Sequence, residues 1–126
     1  MSRTPAQRTG DAAEERALNH LKRTGRHRCL DRNFRSRGGE VDLITLEGQL
    51  LVFVEVRART DTAFGRPEAT VDQRKQRRLA TAARAFLASH PEHANRICRF
   101  DVVAVDGDGL RWIPDAFRPY ETGFWS

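Results

Sequence analysis

The chain is poor in the residues that mark several protein classes. It has only two cysteines, Cys29 and Cys98, in 126 residues. They lie far apart, and neither has a paired-cysteine neighbour. That excludes a disulfide framework and a zinc ribbon and leaves two reduced thiols. Its four histidines, His20, His27, His90 and His93, lack the company of a zinc-ligand set. No apolar run approaches the ~20 residues of a membrane span. The opening Met1-Ser2-Arg3-Thr4-Pro5-Ala6-Gln7-Arg8 has no apolar signal-peptide core. The expectation is a cytoplasmic protein that contacts no membrane. At this length it is one domain, 1–126, with a flexible lead over about residues 1–8 and an aromatic tail over 115–126.

Acidic residues are also in deficit: 17 Asp and Glu face 22 Lys and Arg, giving a formal charge of +5 and a pI near 10.2. The excess is clustered. Arg26, Arg28, Arg32, Arg35 and Arg37 crowd one stretch, while Arg74, Lys75, Arg77 and Arg78 open a later helix with Arg84 below them. A polyanion partner is the natural reading, with a merely solvated surface as the plain alternative.

Periodicity gives the order α-β-β-β-α-β-β, an α/β domain with a mixed sheet and flanking helices. Residues 10–24 have helical spacing, with an apolar stripe of Ala13, Ala17, Leu18 and Leu21 that Gly25 ends. Glu14 falls within it: at ~100° per residue, Leu21 lies about 20° from Glu14 and Leu18 about 40°. A carboxylate facing the core either pairs with an arginine, caps a loop or serves as a ligand. Residues 26–34 read as a first strand, followed by a flexible loop over 35–39. Residues 71–89 form the strongest helix, whose stripe of Leu79, Ala82, Ala83, Phe86 and Leu87 includes Lys75 at its edge. Residues 96–105 and 110–113 complete the sheet through a turn at 106–109. Residues 60–70, with Phe64-Gly65-Arg66-Pro67, read as a surface loop long enough to act as a flap. Phe117, Tyr120, Phe124 and Trp125 are too apolar for a free end and are expected to pack on the domain or on a second subunit.

The most informative segment is Gly39-Glu40-Val41-Asp42-Leu43-Ile44-Thr45-Leu46, then Leu51-Val52-Phe53-Val54-Glu55-Val56-Arg57, joined through Glu47-Gly48-Gln49-Leu50. Its β-branched and aromatic content suits strands. A two-residue type II′ turn at Gly48-Gln49 pairs Glu47 with Leu50 and Leu46 with Leu51. Counting onward sets Phe53 opposite Ile44, Glu55 opposite Asp42 and Arg57 opposite Glu40. Val41, Leu43, Val52, Val54 and Val56 then share the other face. Opposed Cβ atoms lie about 4.5–5.5 Å apart, where two ionised carboxylates repel by roughly 3 kcal/mol at an effective dielectric of ~20. Such a pair is neutralised by basic neighbours such as Arg57 and Arg59, shares a proton, or binds a hard cation.

GEVDLI followed by FVEVRAR resembles the PD-(D/E)xK nuclease motif of the restriction-endonuclease-like fold. Gly10, Ala13, Glu14, Ala17 and Leu21, the Arg32-Asn33-Phe34-Arg35 segment, Lys75 ahead of Leu79, and Arg99-Phe100-Asp101-Val102-Val103 extend the match to nearly the whole chain. Together they are similar to the YraN-like family of small bacterial proteins, read as nucleases akin to archaeal Holliday-junction resolvases. The resemblance implies a Mg²⁺- or Mn²⁺-dependent endonuclease that cuts branched or damaged DNA, with RNA not excluded. It implies Asp42 and Glu55 as metal-binding acids and Glu14 as a further acid from the first helix. Arg57 stands in the motif's lysine position, with Glu40 restraining it. Arginine stays charged and cannot serve as a base, so either Lys75 supplies the missing ammonium or a metal ion that acidifies its own water makes a protein base unnecessary. Arg32, Arg35, Arg37, Arg59, Arg74, Arg77 and Arg78 would hold flanking phosphates, and the fold's resolvases imply a homodimer. The rivals are a nucleic-acid-binding module whose chemistry has decayed and a protein-interaction subunit that uses the aromatic tail.

Overall fold

A computed structural model describes residues 5–58, 71–107 and 109–119, with side chains from Gly10 onward. Helix α1 (Pro5–Thr24) precedes strands β1 (Arg28–Ser36), β2 (Gly39–Glu47) and β3 (Leu50–Ala58). Helix α2 (Gln73–Ser89), a 3₁₀ turn (Pro91–His93), β4 (Cys98–Asp106) and β5 (Gly109–Phe117) follow. The five strands lie in chain order in one sheet. Among the described residues only β3 and β4 pair in parallel, and α2 lies in the long connection that a parallel pair requires. The α/β class and the element order agree with the sequence expectation and with a restriction-endonuclease-like fold.

Each helix covers one sheet face. Ala13, Ala17, Leu18 and Leu21 of α1 pack on Leu43, Val52, Val54 and Val103. Leu79, Ala82, Ala83 and Phe86 of α2 pack on Ile44, Leu46, Leu51 and Phe53. Asp72 starts α2 by accepting the Lys75 N–H at 2.9 Å, a cap worth ~1 kcal/mol. Among the described residues no helix is long and apolar enough to cross a membrane.

Several boundaries differ from those read in the sequence. Helix α1 begins at Pro5, so residues 5–8 of the expected flexible lead are helical. Residues 35–39 are not a flexible loop: Ser36 pairs with Gly39 across a tight turn, with Gly38 at φ 79°. Any side chain at Gly39 would collide with the backbone of Arg78 and Ala82, which is why β2 can start against α2 only through a glycine. Strand β5 runs on to Phe117, so the expected tail begins as sheet. Arg59, the 60–70 flap, Tyr120, Phe124 and Trp125 lie outside the described residues.

Candidate active site

The hairpin register is the one counted from the sequence. Glu47 pairs with Leu50, Leu46 with Leu51, Ile44 with Phe53 and Leu43 with Val54. Gly48 has φ 61°, and no positive φ falls at Gln49, as a type II′ turn requires. The ladder then stops one step before Asp42 and Glu55. Asp42 Oδ2 accepts the Val56 N–H at 2.8 Å, taking the place of a backbone partner. Val41 packs in the α2-side core with Ile44 and Leu46 instead of beside Leu43. Alternation is therefore interrupted around Asp42, which corrects the expectation that Val41, Leu43, Val52, Val54 and Val56 share one face. The strands part where the carboxylates begin.

Three acids share one electrostatic neighbourhood. Burial, then the Glu55 charge, pushes Asp42 from its ordinary 3.8 to about 8. Burial and the neighbouring Glu55 charge thus both favour the protonated form of Asp42. Glu14, the acid expected on the core-facing stripe of α1, is 8% exposed. Its burial raises its pKa, partly offset by a hydrogen bond from the Asn33 side chain and by the Arg32 charge, while Glu55 raises it further. Glu14 Oε1 is buried without a hydrogen-bond partner among the described residues. The unpartnered Glu14 oxygen, with the Asp42 and Glu55 carboxyls in its electrostatic reach, offers hard oxygen donors of the kind that suit Mg²⁺ or Mn²⁺. No group of three or more His, Cys, Asp or Glu is preassembled as a metal cage among the described residues.

Cations fill the gap. Glu55, 7% exposed, offers Oε1 to Lys75 Nζ at 2.9 Å and to Arg57 Nη1 at 3.7 Å. Lys75 thus reaches from the first turn of α2 to the acids. Glu40 does not restrain Arg57: it faces Arg78 at 3.5 Å and Arg35 at 3.9 Å, because β2 enters along α2. Of the other arginines assigned to phosphates, Arg32 is bound to Glu15 at 2.8 Å. Arg37, Arg74 and Arg77 are exposed. Arg74, Lys75, Arg77 and Arg78 crowd the first turns of α2, which has no acid in its first turn. Cations there oppose the helix dipole, a cost that a bound anion offsets.

Sequence reading missed two features. Asn33, at φ 54° in β1, holds Glu14 from a left-handed conformation that asparagine tolerates better than most residues. A second polar network lies toward the other end of the hairpin. Asp101, fully buried, accepts from Arg99 Nε at 2.7 Å and Nη2 at 2.8 Å, from Trp112 Nε1 at 2.9 Å and from the Asp115 N–H at 3.0 Å. Arg99 continues to Glu47 at 3.0 Å, and Glu47 to His27 Nε2 at 3.2 Å. Burial lowers the His27 pKa against the pull of Glu47, and its Nδ1 meets Thr45 Oγ1 at 2.7 Å. The Arg99-Phe100-Asp101 alternation was the available signal. A cleft of about 690 Å³ lined by Gln49, Leu50, Pro91 and Ile97 among others contains none of the acids of the candidate site.

A family model described as "Uncharacterised protein family UPF0102" matches residues 13–105. The chain is 49% identical over 114 residues to a UPF0102 protein of Pseudomonas entomophila, covering 86% of this chain and 92% of that one. It is 52% identical over 114 residues to one of Halorhodospira halophila, covering 90% and 89%. With a UPF0102 protein of Alcanivorax borkumensis it shares 48% over 114 residues, covering 86% and 90%. The matched span includes Glu14, Asp42, Glu55, Arg57 and Lys75, and of the second network His27, Glu47, Arg99 and Asp101 but not Trp112 or Asp115.

Proposed function

We propose that this chain, which belongs to the UPF0102 family, is a metal-dependent endonuclease that hydrolyses DNA phosphodiesters, selecting branched or damaged structures over a base sequence. The observation that carries the reading is the unpartnered, buried Glu14 oxygen beside Asp42 and Glu55. Nature rarely leaves such a group unsatisfied without a use for it.

Glu14, Asp42 and Glu55 would hold one or two Mg²⁺ or Mn²⁺ ions. Such an ion supplies Lewis acidity, drawing charge from a phosphodiester and making water more acidic. The chain's own residues supply the rest. Val56 N–H fixes Asp42, and Asn33 fixes Glu14, so the acids are oriented before substrate arrives. Arg57, always charged, stabilises negative charge developing on the phosphate and takes no proton. Lys75 adds a second positive group. Arg74, Arg77, Arg78, Arg35 and Arg37 bind flanking phosphates, a contribution that positions DNA without reading bases.

The test is cleavage of junction, flap and nicked DNA with Mn²⁺ by the wild type and by Asp42→Asn. Cleavage that Asp42→Asn removes while DNA binding persists supports the reading. A binding module with decayed chemistry is the second reading, favoured by Arg57 in the lysine position. Salt-sensitive DNA binding with no cleavage of any such substrate by either ion would select it.

A further inference from the structure

Glu55 Oε1 receives two cations from different elements. Arg57 comes from β3 itself at 3.7 Å, and Lys75 crosses from α2 at 2.9 Å. The backbone of Lys75 is pinned, because its N–H is the donor to the Asp72 cap at 2.9 Å. Its four-carbon stem is not pinned, and a lysine ammonium is a compact charge on a flexible arm. Lys75 is half-buried, and the turn it belongs to carries Arg74, Arg77 and Arg78 on exposed positions. The arm can therefore point either inward to Glu55 or outward to the basic face that suits a phosphate. A divalent cation and an ammonium on one carboxylate oxygen repel each other.

Resting on the nuclease reading, we propose that Lys75 is an exchangeable counter-ion: it holds Glu55 in the cation-free protein, yields it when a divalent cation binds, and then meets the substrate phosphate. Lys75 thereby couples cation binding to phosphate binding. It competes with the first and assists the second.

The experiment measures Mn²⁺ affinity without DNA, by the paramagnetic resonance signal of free Mn²⁺, for the full chain and for Lys75→Met, Lys75→Gln, Arg74→Met and Asp42→Asn. The lysine variants should bind Mn²⁺ more tightly by about fivefold or more, the equivalent of one partly exposed ion pair. Arg74→Met removes the same charge without touching Glu55 and should change affinity by less than about twofold, since its exposed charge is screened. With DNA added, the lysine variants should show lower kcat despite their tighter Mn²⁺. Unchanged or weaker Mn²⁺ binding by both lysine variants would overturn the exchange, as would an equal gain in Arg74→Met. Should no protein bind Mn²⁺ in a manner that Asp42→Asn abolishes, the nuclease reading itself fails and the exchange fails with it.

Discussion

The sheet carries two buried acidic centres that solve the same problem in opposite ways. Around Asp101 every cost of burial is met: two arginine nitrogens, an indole N–H and a backbone N–H converge on one carboxylate. Around Asp42 and Glu55 the costs are left standing, with an Asp42 pKa raised by burial, an orphaned oxygen on Glu14 and an ammonium reaching in from α2. Both belong to the same strand system, and Asp101 even pairs with Val54, next to Glu55. On the proposed reading the difference is one of purpose: the satisfied centre would fix the fold, and the unsatisfied one would keep binding energy in reserve for a ligand.

The sharpest way to break the contrast is substitution at each centre. Asp42→Asn should lower Mn²⁺-supported cleavage at least ~10³-fold, about 4 kcal/mol of transition-state stabilisation, while leaving thermal stability equal or higher. A parallel loss of folding would show that the acids are structural. Asp101→Ala should do the reverse, destabilising the domain by roughly 3 kcal/mol or more in urea unfolding, because Arg99 and Trp112 lose their acceptor in the interior.

The pH dependence sharpens it further. Asp42 is an acid whose folded pKa, about 8, stands above its ordinary 3.8. Between those values the folded state binds more protons than the unfolded one, so stability contributed here falls as pH rises from about 4 to about 8. The loss should be on the order of 1–3 kcal/mol after allowance for coupling to Glu55. Asp42→Asn should remove this slope, and Mn²⁺ affinity should rise across the same window as the competing proton leaves. A stability profile identical in wild type and Asp42→Asn would mean that Asp42 ionises freely. The smallest expected effect lies outside both centres: Glu40→Gln, which loses contacts to Arg78 and Arg35 at 3.5 and 3.9 Å, should change unfolding free energy by less than about 0.5 kcal/mol.

Local rules made much of this legible in the chain. Gly48 and period-two alternation were enough to set the β2–β3 register. A helical wheel placed Glu14 inward and put Lys75 at the edge of the buried stripe of α2. What escaped depends on distant partners. The parting of the strands at Asp42, the shift of Val41 to the α2 face and the turn of Glu40 toward Arg78 all follow from β2 entering against α2, which no local pattern encodes. The Asp101 network was hidden because Arg99 meets Glu47 across 52 positions and His27 meets Glu47 across 20. Asn33 was hidden because its left-handed conformation belongs to the folded strand rather than to its neighbours in sequence.

A crystal soaked in Mn²⁺ and measured for anomalous scattering tests the central claim directly. The account predicts a peak bounded by Asp42 and Glu55, with Glu14 facing it directly or through water and Lys75 withdrawn from Glu55. No peak there, with Lys75 still on Glu55 at saturating Mn²⁺, would contradict it.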